Sequence, residues 1–380
     1  MKVLILANND AGLYKFRKEL IQELLFPGSL LEERESEPCE VYISLPYGEF
    51  VEELKKLGCQ YIDTPFERRG MNPLKDLKLL NEYQKMVRKI SPDIVLTYTI
   101  KPNVYGGIVC RLLKVPYLVN ITGLGTSIEN EGILSKVILK MYQAGLKKAK
   151  TVFFQNESNA KLFKDKRIVG DNVVLIPGSG VNLKEHCFEE YPSEEDGVQL
   201  LFIGRIMRDK GIGEYLDCAE HYADRTDVSF HIIGGYDEKA YEDRIQNLQD
   251  RNVIQYYGVQ KDVHSFMKSH HAVVLPSYHE GLSNVLLEGA ATGRPIIATN
   301  VPGCRETYED DVTGIGFESQ SSDALIEAVG KFLSLSCEQR ADMGVNGRKK
   351  IEQTFDKKIV VRAYTKEIDG GNTNATLRKN

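Results

Sequence analysis

No stretch of this 380-residue chain approaches the roughly 20 consecutive apolar residues that a membrane-spanning helix needs, which excludes a helical membrane span. The opening run, Met1-Lys2-Val3-Leu4-Ile5-Leu6-Ala7-Asn8, reads as a short buried strand. It lacks the apolar h-region and small-residue cleavage site of a signal peptide. Cysteine is sparse. Seven residues (Cys39, Cys59, Cys110, Cys187, Cys218, Cys304, Cys337) make an odd, widely spread set without CxxC spacing. Free, structural thiols in a reducing cytoplasm are expected rather than disulfides or a zinc site. Also missing are a Walker A loop, a GxGxxG turn, an HExxH pair and an Asp-x-Asp. Their absence weighs against dinucleotide oxidoreduction and against a divalent metal held on a diphosphate.

What remains is ordinary globular material, 42% hydrophobic and 27% charged, long enough for two domains. The net charge of −5 conceals an asymmetry. Residues 1–180 carry 26 Lys+Arg against 21 Asp+Glu, a balance of 26 − 21 = +5, and the remainder 23 − 33 = −10. A basic first half fits an anionic membrane surface or an anionic acceptor. No nucleic-acid partner is expected.

Short apolar runs alternate with amphipathic segments throughout. In the first half the strand candidates are Val3–Ala7, Val41–Leu45, Tyr61–Asp63, Ile94–Thr97, Tyr117–Asn120, Val152–Phe154 and Val173–Ile176. Helical patterns such as Leu74–Ile90 and Leu134–Lys150 intervene. After Pro177–Val181 and the polar run Glu189–Gly197, read as a linker, the pattern restarts. Its strands are Gln199–Gly204, Ser229–Gly234, Val253–Tyr257, Ala272–Pro276, Pro295–Ala298 and Gly314–Phe317. This alternation predicts two doubly wound αβα domains, residues 1–180 and 197–356, with ligands at the carboxyl ends of parallel strands in the cleft between them. A last helix, 357–369, is expected to pack back on the first domain, followed by a disordered tail, 370–380. The insert Glu32–Glu40, five Glu with Arg34 among them, reads as a solvated loop.

The most informative segment is Glu280-Gly281-Leu282-Ser283-Asn284-Val285-Leu286-Leu287-Glu288. Ser283 reads as an N-cap, Asn284 as the first helical residue, and Glu288 falls in the second turn. Free backbone N–H groups and the positive end of the helix dipole lie between the two carboxylates and attract an anion. An anion seat flanked by carboxylates suits a ligand with both phosphate and sugar hydroxyls. Gly204-Arg205-Ile206-Met207-Arg208-Asp209-Lys210-Gly211 follows the first strand of the second domain. Arg205 as a bidentate donor and Lys210 as a point charge can converge there on one diphosphate.

The corresponding first-domain turn, Asn8-Asn9-Asp10-Ala11-Gly12, has two readings. Gly12 either admits backbone to the same diphosphate or meets a tight turn's need for a small residue. The loops Tyr98–Asn103 and Asn120–Thr126 follow first-domain strands, making Lys101, Asn120, Thr122 and Gly123 acceptor-side candidates. Arg68 and Arg69 in Phe66–Pro73 either bind an acceptor phosphate or are solvated surface. His264, His270 and His271 match no metal signature and are expected to pack or face solvent, whereas His279 adjoins Glu280 in the site loop.

Together, Gly204-Arg205, Lys210-Gly211, the run Pro276-Ser277-x-x-Glu280-Gly281-Leu282-Ser283-Asn284-Val285-x-x-Glu288-Gly289-x-Ala291-x-Gly293-Arg294-Pro295 and Val301-Pro302-Gly303-x-x-Glu306 resemble retaining glycosyltransferase family 4. The resemblance covers most of the chain and is strongest over residues 199–317. It implies the GT-B fold, two Rossmann-like doubly wound αβα domains facing each other across a cleft. It also implies a nucleotide-diphosphate sugar donor, UDP-linked by default, with no metal and no cofactor. Carried over by motif, Arg205 and Lys210 bind the diphosphate next to Gly204, Glu280 meets the donor-sugar hydroxyls and Glu288 the ribose. The backbone from Gly281 through Leu282, Ser283 and Asn284 to Val285 holds phosphate and sugar. Arg205, Lys210 and Glu280 form the implied catalytic set.

The Thr-Gly-Leu-Gly run and Arg-Gly-Met-Asn-Pro are similar to bacterial enzymes that extend lipid-linked capsule, O-antigen or N-glycan precursors. The expected acceptor is therefore a polyprenyl-diphosphate-linked glycan. Peripheral contact with the inner membrane face is expected through Leu134–Lys150, where Lys147, Lys148 and Lys150 cluster. There is one departure. Many family members carry a His in the loop after the fifth strand, and here that loop reads Asn120-Ile121-Thr122-Gly123.

Two carboxylates around a sugar also invite a glycosidase assignment, but Glu288 at an anion seat suits a ribose diol better than an anomeric carbon. Front-face transfer of a hexose or N-acetylhexosamine with retention is the expected reaction. The alternatives are a UDP-sugar epimerase of the same architecture or a non-catalytic carbohydrate-binding protein.

Overall fold

A computed structural model describes residues 1–65, 72–123 and 132–370. Arg68, Arg69, the Leu124-Gly125-Thr126 run and the tail beyond Gly370 lie outside the described residues. The chain divides into two units, Met1–Ser179 with Lys357–Asn380, and Gly180–Asp356.

The first unit holds β1 (Lys2–Leu6), β2 (Glu40–Leu45), β3 (Gln60–Asp63), β4 (Ile94–Tyr98), β5 (Tyr117–Ile121), β6 (Thr151–Phe154) and β7 (Val173–Leu175). They pair in parallel in the order β3-β2-β1-β4-β5-β6-β7. A parallel sheet with helices on both faces needs strands apolar on both sides, and Val3, Leu4, Ile5 and Leu6 are all fully buried.

The second unit holds β8 (Val198–Ile203), β9 (Val228–Ile233), β10 (Ile254–Tyr256), β11 (Ala272–Leu275), β12 (Ile296–Thr299) and β13 (Gly314–Phe317), in the order β10-β9-β8-β11-β12-β13. In each unit the strand order reverses at the first strand, β1 or β8. Ligands of doubly wound sheets bind beyond the carboxyl ends at such a switch point.

Every strand expected from the alternation forms, its ends displaced by at most one residue. Two polar segments depart from expectation. The run Glu189–Gly197 is no free linker, because it is bound to the second unit by arginines distant in sequence. The Nη2 of wholly buried Arg294 donates to the carbonyls of Glu189 and Glu190 at 2.6 and 2.7 Å. Arg340 grips both oxygens of Glu194 at 2.9 and 2.6 Å. Val181 N–H, at the start of this passage, donates to Phe355 C=O at 2.8 Å.

The insert Glu32–Glu40 is likewise anchored. Arg34 donates from Nε and Nη2 to the Asp369 carboxylate at 2.9 and 3.0 Å and from Nη1 to Glu23 C=O at 2.5 Å. Composition alone reads such runs as solvated because the partner of each buried charge lies far along the chain.

Asp369 ends the helix Lys357–Asp369, whose Val360, Val361, Tyr364 and Ile368 share an apolar cluster with Ile5, Leu20, Leu96 and Phe153 of the first unit. The Tyr364 ring stacks on Phe153 with centroids 4.3 Å apart.

Candidate functional site

The loops after β8 and β11 are pressed together at a glycine. Gly211 has φ +71, and a Cβ there would lie 2.1 Å from Pro276 C=O, so only glycine allows the approach. Hydrogen bonds to Asp209 C=O fasten the contact, from Tyr278 N–H at 2.9 Å and Ser277 Oγ at 3.2 Å. The result is an ion pair between Lys210 Nζ and Glu280 Oε1, with side chains only 18% and 14% exposed.

A second glycine brings in the loop after β12. Gly303 has φ +87, and a Cβ there would meet Glu280 C=O at 2.4 Å. Ser283 N–H donates to Gly303 C=O at 2.8 Å, and Gly303 N–H to Glu306 Oε2 at 2.7 Å. Three strand-end loops therefore fix Glu280 from both sides.

The helix Asn284–Ala291 begins beside this pair. Ser283 occupies the N-cap, but its hydroxyl makes no capping bond, so its side chain does not close the first-turn N–H groups. Leu282 is buried in the core and anchors the turn. Gly281, Asn284 and Val285 are half-buried at the same end. One helical turn on, Glu288 Oε1 lies 4.0 Å from His186 Nε2.

Arg205 and Lys210 do not meet each other. Arg205 Nη1 donates to Asp237 Oδ2 at 2.8 Å and the guanidinium stays 56% exposed. Gly204 carries the chain out of β8, with Gly234 (φ +154) so close that a Cβ there would overlap Gly204 C=O. An ammonium has three N–H donors and a guanidinium five. Glu280 and Asp237 occupy part of that capacity.

The first-unit candidates separate on inspection. Gly12 N–H is already taken by Asn9 Oδ1 at 2.6 Å as part of a helix N-cap, so the turn reading applies to Gly12 and its N–H is not open to a phosphate. Lys101 Nζ is held by Asp76 Oδ1 at 2.9 Å, with side chains 11% and 9% exposed, which makes it one half of a shielded pair. Asn120 is buried rather than facing an acceptor, with Nδ2 donating to Tyr364 OH at 2.5 Å. Thr122 and Gly123 are half-buried beyond β5.

Sequence reasoning missed Asp237, and it missed Thr99, which follows β4 at φ +72 with its buried Oγ1 unbonded among the described residues. The π-helical turn Pro102–Gly106 follows directly. The Val-Pro-Gly run was the available signal for Gly303.

Of the remaining histidines, His270 and His271 are buried on the second-unit sheet. Burial pushes His231 down to about 3 and His270 down to about 4.

The family model described as Glycosyl transferases group 1 matches residues 184–350, and that described as Glycosyl transferase 4-like matches residues 31–156. The chain is 25% identical, over 97% of its length and 98% of the relative's, to the N,N'-diacetylbacillosaminyl-diphospho-undecaprenol alpha-1,3-N-acetylgalactosaminyltransferase of Campylobacter jejuni. It is 26% identical to the capsular polysaccharide biosynthesis glycosyltransferase CapM of Staphylococcus aureus, over 77% of this chain and 80% of that one. It is 24% identical to the UDP-Gal:alpha-D-GlcNAc-diphosphoundecaprenol alpha-1,3-galactosyltransferase of Escherichia coli, over 76% and 80%. Among solved structures, a glycosyltransferase from Rickettsia africae superposes with a TM-score of 0.80 at 20% identity, covering 98% of this chain and 99% of that one. Anabaena HepE in complex with UDP and glucose gives a TM-score of 0.77 at 16% identity, over 97% and 100%.

Proposed function

Because the chain belongs to glycosyltransferase family 4, we propose that it moves a hexose or N-acetylhexosamine from a UDP-sugar to a polyprenyl-diphosphate-linked glycan, with retention at the anomeric carbon. The observation that carries this reading is the shielded Lys210–Glu280 pair at the open end of the helix Asn284–Ala291. The names of the relatives agree with it. One names a UDP-sugar donor, two name diphosphoundecaprenol acceptors, and both of those specify alpha linkages. An alpha product from an alpha-linked nucleotide sugar is retention.

In the proposed reaction the bond between the anomeric carbon and the diphosphate oxygen breaks. The acceptor oxygen bonds to the same face of that carbon, and the acceptor proton passes to the departing phosphate oxygen. Lys210, Arg205 and the first-turn N–H groups of the helix stabilise the charge that grows on the diphosphate. Glu280 positions the Lys210 ammonium and accepts from donor-sugar hydroxyls. Glu288 accepts from the ribose. Neither carboxylate serves as a covalent nucleophile, and no metal takes part.

We place the acceptor's lipid on the helix Pro73–Ile90, which exposes Leu74 and Leu77 among Lys75, Lys78, Lys85, Arg88 and Lys89. Apolar and cationic groups on one helix face suit an anionic lipid surface. The helix Ile133–Leu146, followed by exposed Lys147 and Lys148, stays available for the same contact, while Lys150 Nζ donates to Glu367 C=O. No helix among the described residues is long and apolar enough to cross a membrane.

A thermal-shift screen of nucleotide sugars followed by transfer onto lipid-diphosphate sugars tests the proposal. A UDP-sugar should raise the melting temperature and yield an alpha-linked product. Sugar transfer with inversion, or donor turnover only to an epimer, would overturn it.

A further inference from the structure

Away from the Lys210–Glu280 pair, three chemically distinct side chains of the second unit meet at one point. Cys187 Sγ lies 3.4 Å from Glu189 Oε1 and 3.6 Å from His264 Nε2, and His264 Nε2 lies 3.3 Å from Glu189 Oε1. They are the one such group of three or more potential metal ligands among the described residues. We propose that Cys187, Glu189 and His264 form a zinc site that fastens the segment before β8 to the helix Val263–Ser269.

The spacing fits a shared ion. Tetrahedral bonds of about 2.3 Å to sulfur and about 2.0–2.2 Å to nitrogen and oxygen put neighbouring ligand atoms roughly 3.3–3.6 Å apart. A thiol, an imidazole and a carboxylate together suit zinc and disfavour magnesium or calcium, which take oxygen ligands.

Hydrogen bonding around the cluster prepares each donor. Before an ion binds, the carboxylate oxygen Glu189 Oε1 can only accept, from Cys187 S–H at 3.4 Å and from His264 Nε2–H at 3.3 Å. With an ion in place Nε2 would give its lone pair to the metal and Nδ1–H would donate to Thr292 Oγ1, 3.3 Å away, whose own proton goes to Glu288 C=O at 2.8 Å. A ligand histidine is commonly oriented in this way by its other nitrogen. Lys268 Nζ occupies the far carboxylate oxygen, Glu189 Oε2, at 2.9 Å and leaves Oε1 to the cluster.

The three donor atoms thus converge on one point, with a thiol proton and an imidazole proton held against Glu189. Binding exchanges the thiol proton for the ion: the Cys187 S–H bond breaks, the imidazole proton moves from Nε2 to Nδ1, the thiolate and the two other donors bond to zinc, and one proton leaves to solvent. Cys187 is exposed, which gives the ion a path in and leaves the fourth coordination position to water.

The full-length chain, stripped with chelator, is the material for the test. Zinc chloride should bind one ion per chain, release about one proton and raise the melting temperature. Cobalt(II) in its place should show four-coordinate visible bands together with a near-ultraviolet thiolate charge-transfer band. Cys187→Ser should remove that band and weaken zinc by more than about 100-fold. Thr292→Val, which removes the hydroxyl beside His264 Nδ1 together with its bond to Glu288 C=O, should weaken it about 10–100-fold. Cys337→Ser, the other exposed cysteine, should change nothing. Melting in chelator shows whether each variant still folds, and the wild-type cobalt spectrum decides the matter if one does not. The site is overturned by failure to bind zinc stoichiometrically, by a cobalt spectrum without the thiolate band, or by unchanged zinc affinity in Cys187→Ser.

Discussion

Two glycines with almost the same backbone conformation allow the loop packing at the site to be weighed directly. Gly211 and Gly258 have φ +71 and +67, but a Cβ on Gly211 would lie 2.1 Å from Pro276 C=O, whereas one on Gly258 would have nothing within 4 Å. Alanine at either position incurs left-handed strain of roughly 1–2 kcal/mol, offset by about 0.4–1 kcal/mol from the stiffer unfolded chain. Gly258→Ala should therefore cost about 0–1.6 kcal/mol. Gly211→Ala adds the displacement of a backbone carbonyl by about 1 Å, an overpacking cost of about 1–3 kcal/mol. At roughly 2–4 °C per kcal/mol for a unit of this size, Gly211→Ala should melt about 2–12 °C below Gly258→Ala. The moving carbonyl belongs to the loop that carries Glu280, so Gly211→Ala should also lose transfer activity while Gly258→Ala keeps it. Thermal denaturation of both variants by circular dichroism, with transfer assays at equal folded concentration, reads both effects. Equal melting temperatures and equal activities would refute the claim that the Gly211–Pro276 contact builds the site.

Lys210→Met should lower kcat about 10²–10³-fold, as expected for one preorganised group aimed at developing charge, with a smaller change in KM. Near-normal turnover under saturating donor would remove Lys210 from the reaction. Stability should also fall on mild acidification. Burial holds His231 and His270 at about 3 and about 4, against an ordinary 6.5, so the unfolded chain takes up protons that the native one refuses. Their contribution is complete well above pH 6.5 and is lost as the pH falls toward 4, by about 2 kcal/mol per histidine at pH 5. Melting curves at pH 7.5 and 5.0 should separate accordingly, and coincident curves would contradict it.

Much of the fold was legible because parallel strands buried on both faces must be short apolar runs, and Val3–Ala7 or Ala272–Pro276 can be little else. The Glu280–Glu288 run was legible for a related reason: a strand end, small polar residues and a helix start follow one another without a gap. What escaped was whatever depends on residues far apart in sequence. Arg205 and Lys210 looked like one diphosphate clamp, yet Asp237 and Glu280, neither adjacent in the chain, take one each. Lys101 looked available until Asp76 was found against it. Asn120 ended a strand in the right place, but its amide is claimed by Tyr364. His264 lacked any metal spacing because its two neighbours stand 77 and 75 positions away.

The helix Lys357–Asp369 completes the apolar cluster of a unit whose other residues end at Ser179. During synthesis the first unit therefore waits for its last piece while the entire second unit is made. At about 5–20 residues per second, that interval is roughly 10–35 s. Through it, the surface destined for Val360, Val361, Tyr364 and Ile368 stays uncovered. A message cut short after the second unit would yield a chain with one finished half and one permanently sticky half. Such a chain is a substrate for chaperones and proteases rather than a smaller enzyme.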